Sequence, residues 1–283
     1  KISDLLVAQR ETLREIARIV ESRRATGAAP QQDEIKAHVE QTKIENDILM
    51  QSQEARSLCT SLNSILDLDG ATNCVINENE FSLPKITKPL DSLPSLAQQN
   101  SKMISANKAW SLEAQKTKTF AEQSYLPDLM FSLRKPFGNN SLSNAYSVSF
   151  EFSIPLWFMS KQKNEVAFAS AKTIESDKKL ELTRRQVDSE TKDLSNQLQT
   201  QEKLLKIYET ALIPQSMSSL NSSRVAYSAG KVGFQELLDA ERSLYGVRID
   251  YYKTYSRYIE TLTKLERSIG ASISDLPFSG VQL

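Results

Sequence analysis

Glycine is scarce in this chain, 8 residues of 283, and with it goes the backbone freedom that phosphate-cradling loops and compact α/β enzymes draw on. Histidine occurs once, as His38, on a polar helical stretch where it reads as solvated. No nucleophile motif, phosphate loop or His–carboxylate set is visible, so the chain reads as a non-enzyme with no cofactor. Cysteine is limited to Cys59 and Cys74, neither with a second thiol or imidazole at metal-ligand spacing. The five methionines are scattered and read as packing residues, and no residue is assigned to a metal. In an exported chain the two thiols could close a disulfide; the sequence leaves open that bridge or two separate thiols. An excess of one charge is missing too: 35 basic residues balance 35 acidic ones without a basic cluster, which argues against a nucleic-acid partner. No run approaches the roughly 20 apolar residues of a membrane-spanning helix. Nor is a signal peptide visible, and Lys1 lies inside a helical pattern, so sequence upstream is expected.

What the chain does contain is a repeat. Thr26 to Gln41 is a shortened copy of Tyr227 to Tyr245, 203 residues apart: Gly27 matches Gly230, Gln32 and Asp33 match Gln235 and Glu236, Ile35 and Ala37 match Leu238 and Ala240. A constant offset over a helix-turn-helix implies two similar halves.

Residues 1–66 read as a helical hairpin, with a first helix over 3–24, a turn at 25–30 and a second helix over 31–66; Pro30 suits a helix start. Residues 67–94, rich in Asn, Asp and proline, read as an inter-repeat linker. The second repeat, 95–270, begins with a helix over 95–124 that ends before Pro127. A β-hairpin follows over 128–156. Leu129, Phe131 and Leu133, then Tyr146, Val148, Phe150, Phe152 and Ile154, alternate with small or polar residues around a reversal at 137–143. Alternation alone fits a half-buried soluble hairpin. The lack of neighbouring sheet, together with Trp157-Phe158 at its end, fits a lipid-facing strand pair better.

From 160 to 228 the period is helical for roughly 100 Å, with Leu180, Val187, Leu194 and Tyr208, and out of step Leu198, Leu205 and Leu212, at multiples of seven. Pro214 should kink it. A return helix over 234–269 carries Leu237, Leu244, Tyr251, Tyr258 and Leu265 at the same spacing and must pack antiparallel across the turn at 229–233; residues 271–283 form a tail. The fold class is mainly α with a small β part.

Tyr227-x-x-Gly230 with Leu238-Asp239-Ala240 and Leu244-Tyr245, Ile213-Pro214-Gln215, Leu126-Pro127-Asp128-Leu129 and Phe152-Ser153-Ile154-Pro155-Leu156 together resemble the TolC-type outer membrane factors. The first copy is most similar to the heavy-metal and cation efflux branch. This resemblance implies a homotrimer whose hairpins build a β-barrel in outer membrane lipid and whose long helices continue it as an α-barrel across the periplasm. It implies a passive exit duct for small molecules or metal cations, fed by an inner-membrane pump through a periplasmic adaptor. The first half enters at the position matching Leu204, so about 100 residues of helix and strand have no counterpart and an N-terminally truncated chain is expected.

By the same resemblance Gly27, Ala28, Ala29, Gly230, Val232, Gly233 and Phe234 would dock onto the adaptor, whereas the bland reading is that the glycines permit tight turns. An apolar Val-Gly-Phe at an exposed turn favours docking. Asp33, Glu236 and Asp239 would ring the periplasmic entrance; Lys36 replaces the fourth acid. Solvated helix charges are the plain alternative. A soluble periplasmic coiled-coil scaffold or adaptor is the rival function, disfavoured by the aromatic hairpin and the scarcity of glycine.

Overall fold

The computed structural model describes residues 1–68, 74, 83–135, 146–153 and 160–275. Seven α-helices occur among them: α1 (Ile2–Ala25), α2 (Gln31–Ile65), α3 (Leu93–Asn100), α4 (Lys102–Gln123), α5 (Lys161–Ile207), α6 (Ile213–Ser228) and α7 (Phe234–Ile269). Strands β1 (Asp128–Arg134) and β2 (Ser147–Ser153) lie between α4 and α5. No described helix is long and apolar enough to cross a membrane. The chain divides into two compact units, one of Lys1–Lys88, Leu194–Leu265 and Ile273–Leu283, the other of Pro89–Asp193 and Glu266–Ser272.

In the first unit the seven-residue spacing becomes packing. Leu237, Leu244, Tyr258 and Leu265 of α7 are buried, Tyr251 is half-buried, and Leu198 and Leu205 of α5 are fully enclosed. Leu13, Ile16, Ala17 and Val20 of α1, Ala37 and Ile44 of α2, and Leu220 and Tyr227 of α6 share one core with Phe234, Leu237, Leu238 and Leu244. Each narrow stripe covers another, as coiled-coil seams do. Leu212 breaks the pattern and is exposed. Residues Tyr208–Leu212 form a π-helical turn, which adds a residue per turn and rotates the later positions off the seam. Pro214 explains it, because a residue without an N–H leaves the carbonyl of Thr210 without its helical partner. The interruption expected at Pro214 therefore falls just upstream and takes the form of a π turn.

A disulfide joins Cys59 of α2 to Cys74. Further along, the described part of the 67–94 segment is tied to the tail: Ile86 bridges Ser274, the Thr87 amide donates to the Ile273 carbonyl at 2.9 Å, and the Lys85 amide donates to Asp275 Oδ1 at 2.6 Å. Tyr258, buried under this segment, donates to the Pro84 carbonyl at 3.3 Å.

In the second unit the single helix expected over 95–124 is two. Ser101 is extended (φ −57°, ψ 123°) and 2% exposed, and it separates α3 from α4. The reason lies far off in sequence. Gly270, which ends α7 at φ +79°, lies so close to Asn100 that a Cβ there would sit 2.4 Å from the Asn100 carbonyl oxygen. Strands β1 and β2 pair antiparallel, placing Leu129 opposite Phe152, Phe131 opposite Phe150 and Leu133 opposite Val148. The Phe131 and Phe150 rings are 5.0 Å apart between centroids. Ser132 and Ser149, a hydrogen-bonded pair at 2.8 Å, lie on the other face. These six apolar residues and Tyr146 are exposed in the chain; Ile154, the 137–143 reversal and Trp157-Phe158 lie outside the described residues.

Gly270→Ala should combine the cost of a left-handed backbone, about 1–2 kcal/mol, with a further 1–3 kcal/mol, roughly, for the clash at Asn100. Gly27→Ala, where a Cβ meets nothing within 4 Å, should show the first cost alone. Urea unfolding of the two variants checks the difference.

Candidate functional site at the helix turns

Both turns of the repeat close by the same hydrogen bonds. At the end of α1 the Gly27 amide donates to the Arg24 carbonyl and the Ala28 amide to the Arg23 carbonyl; at the end of α6 Gly230 donates to Tyr227 and Lys231 to Ala226, all at 2.8–2.9 Å. The bonds from Ala28 and Lys231 each span six residues, and Gly27 and Gly230 carry φ of +74° and +72°. This is the glycine-dependent Schellman closure of a helix. Arg23 then fastens one turn to the other. Its Nη1 donates to the Tyr227 carbonyl, its Nη2 donates to the Ala28 carbonyl at 3.1 Å, and its guanidinium stacks 4.5 Å from the centre of the Tyr227 ring.

Around this junction Gly27, Ala28, Gly230 and Gly233 are exposed, and Ala29 is half-buried. Val232 is half-buried and packed on the core. Phe234 departs from the expected rim. It is 3% exposed, with its ring 5.9 Å from that of Tyr227, because the first residue of α7 turns inward under the turn. Its own core accounts for this aromatic, so exposure of Phe234 is no argument for docking.

Glu236 and Asp239 are both exposed on α7, and Asp33 is half-buried in the first turn of α2. Asp239 accepts from Gln235 Nε2 at 3.0 Å and lies 3.6 Å from Arg242 Nη1. Arg242 in turn holds Glu40 of α2 at 2.6 Å, and Lys43 binds the same carboxylate at 2.8 Å. Burial alone would push the Glu40 carboxyl up, but the hydrogen bonds and charges of Arg242 and Lys43 hold it below the usual range. Of the three acids, Asp239 thus belongs to a chain of alternating charge, Asp239–Arg242–Glu40–Lys43.

Glu241 is a different kind of acid. It is 1% exposed, faces Gln9 of α1, and its carboxyl is pushed up to about 7 by burial, with the Glu40 charge adding to the effect and the Gln9 hydrogen bond and Arg242 opposing it. Its Oε1 finds no hydrogen-bond donor among the described residues. Arg23, Glu40, Glu241 and Arg242 all escape the sequence reading. A signal exists only for Glu241, four residues after Leu237 and three before Leu244, on the buried stripe of its helix.

The unfolded chain gives up the Glu241 proton near 4.5 and the folded chain keeps it to about 7. Stability from this group is therefore complete below pH 4.5 and declines as pH rises through 7, by up to about 3 kcal/mol. Glu40, shifted the other way, acts only as pH falls below its ordinary range. Denaturant unfolding at pH 5 and pH 8 should show this loss in the wild type and little of it in Glu241→Gln.

The family described as outer membrane efflux protein matches residues 93–271. The cobalt-zinc-cadmium resistance protein CzcC of Cupriavidus metallidurans is 23% identical over 259 residues, covering 90% of this chain and 60% of that protein. The solved structure of the outer membrane protein VceC of Vibrio cholerae superposes with a TM-score of 0.80 at 17% identity, over 96% of this chain and 66% of that one. CusC gives a TM-score of 0.80 at 17% identity, over 95% and 64%. These structures establish a shared fold, and the chain spans less than two thirds of the length of each of these relatives. Since the matched segment is more than half of the sequence and holds α3 to α7 with the hairpin between them, the chain belongs to the outer membrane efflux protein family of TolC-type factors.

Proposed function

We propose that the chain is part of an outer membrane exit duct for metal cations, working as a homotrimer with a periplasmic adaptor and an inner-membrane pump. The observation that carries this reading is the hairpin. Leu129, Phe131, Leu133, Val148, Phe150 and Phe152 form one apolar face across two strands, each 55–75% exposed. Water does not tolerate such a face for long, whereas lipid or neighbouring strands of a barrel would cover it. A soluble scaffold or adaptor has no use for it. The name of CzcC, a cobalt-zinc-cadmium resistance protein, supports cations as the cargo.

In this reading the two turns form the periplasmic end. Gly27, Ala28, Ala29, Gly230, Val232 and Gly233 are the docking surface, with Phe234 as their buried support. Asp33, Glu236 and Asp239 line the entrance, where carboxylates from three copies would favour cations. No chemistry is asked of the protein, only a hydrated, charged passage. The two structural repeats would present one turn each to every adaptor contact, with Arg23 holding the pair in register.

Planar-bilayer recording tests the passage: the reconstituted protein should conduct with cation preference, and Glu236→Gln with Asp239→Asn should reduce that preference and any divalent block. Unchanged selectivity would remove the acids from the entrance. For the docking surface, cysteines at Ala28 and Lys231 should trap the adaptor in oxidising cell envelopes, and a cysteine at exposed Glu165 of α5 should not.

A further inference from the structure

Beside the first turn, the only histidine of the chain meets two carboxylates. Glu34 and His38 are four residues apart on α2, hence on one face, and Glu21 approaches from antiparallel α1. Ligand atoms of the three residues lie within 4.8 Å of one another, with His38 Nε2 4.0 Å from Glu21 Oε1. We propose that Glu21, Glu34 and His38 form a binding site for a single divalent transition-metal ion that clasps α1 to α2 next to the turn.

What separates this trio from an ordinary group of surface acids is the imidazole and how it is held. His38 Nδ1 is 3.2 Å from Gln41 Oε1, an acceptor that suits the tautomer with its proton on Nδ1. In the neutral ring that leaves the lone pair on Nε2, on the side where Glu21 lies. An outer partner that fixes the tautomer and orientation of a histidine is the usual companion of a metal ligand. Glu34 is steadied as well, because Arg24 Nε binds its Oε2 at 2.5 Å. With neutral His38, the two carboxylates and Arg24 sum to a charge of −1, which a divalent cation reverses at modest cost.

The donor set narrows the ion. One imidazole and two carboxylates suit zinc, cobalt or nickel better than calcium or magnesium, which take oxygen cages, or copper(I), which takes sulfur. Three protein ligands leave a fourth position for water. Zinc–ligand bonds are about 2.0–2.2 Å, so the three donors must draw together by roughly 1 Å. Glu21 and His38 are about half exposed, at 48% and 55%, and are free to make that movement. Each helix supplies part of the site, so the bound ion would cross-link the two sides of the turn that Arg23 already holds to Tyr227. The site stands whether or not the chain conducts cations.

Titration of the whole chain with Co2+, followed through its visible absorption and repeated with Zn2+ by calorimetry, tests the assignment. One ion per chain should bind. His38→Ala, Glu21→Gln and Glu34→Gln should each weaken binding by at least about 10-fold, and Gln41→Ala, which leaves all three ligands in place, by about 10-fold. Glu21 and His38 are exposed and Glu34 and Gln41 half-buried, and unchanged circular dichroism of each variant excludes misfolding. The Glu236→Gln, Asp239→Asn double variant should bind as the wild type does. Absence of saturable binding, binding unaffected by His38→Ala, or binding lost only in the double variant would each overturn the site.

Discussion

Everything in the first unit depends on burying an apolar stripe one or two side chains wide along α7. Leu237, Leu238, Leu244, Tyr258, Leu262 and Leu265 are each 4% exposed or less, although a quarter of the whole chain is charged. Full burial of one such side chain contributes about 1.5–3 kcal/mol. Ion pairs on the outer helix faces, Lys264 with Glu260 for example, are open to water and screened by salt, so they do not decide the packing. Long helices with so narrow a core are stable because the same stripe continues over many turns. Few residues per turn need be apolar, and the rest stay available for partners and solvent.

The narrowness of the stripe has an electrostatic consequence. A polar group that falls on the seam is pressed against a neighbouring helix. Glu241 shows what this costs, as a carboxyl held between α7 and α1 with Gln9 as its hydrogen-bond partner. Arg23, Glu40 and Arg242 show how the cost is met, since each finds a charged or carbonyl partner on another helix. The turns are therefore joined by specific polar contacts laid on a general apolar one. The apolar seam brings the helices together, and the arginines set how the two turns face each other.

These two layers differ in how far the sequence reveals them. The seam is legible because its rule is periodic: Leu237 and Leu244, or Leu198 and Leu205, mark themselves by spacing, as Phe131 and Phe150 do by alternation. The glycines of the turns are legible through the repeat and through the φ that only they adopt easily. Arg23 on Tyr227, or His38 beside Glu21, is not legible, because such a pair depends on how far each helix is rotated about its axis. Nothing local encodes that angle. The same holds for the break at Ser101, which answers the close approach of Gly270 from the far end of the chain. Phe234 is buried for a related reason. Position in a turn does not imply exposure, because the first residue of a helix faces inward or outward according to the core beneath it.

The charges at the turns invite the simplest objection to a conducting role, namely that acids belong at helix starts anyway. Asp33 and Glu34 lie in the first turn of α2 and Glu236 in the first turn of α7, where unpaired amides favour a negative charge by about 0.3–1 kcal/mol. That account covers them and stops there. Asp239 lies beyond the first turn of α7, and Glu40 beyond that of α2, where the helix dipole has fallen away. These two are instead bridged by Arg242, a group that a helix start does not require. If stability alone had shaped this end of the molecule, a buried Glu241 next to that bridge would be the first residue to replace, since an apolar side chain there would remove the cost of its ionisation. A carboxyl that costs stability, beside a charge relay that spans two helices, is not accounted for by the dipoles of the helix starts.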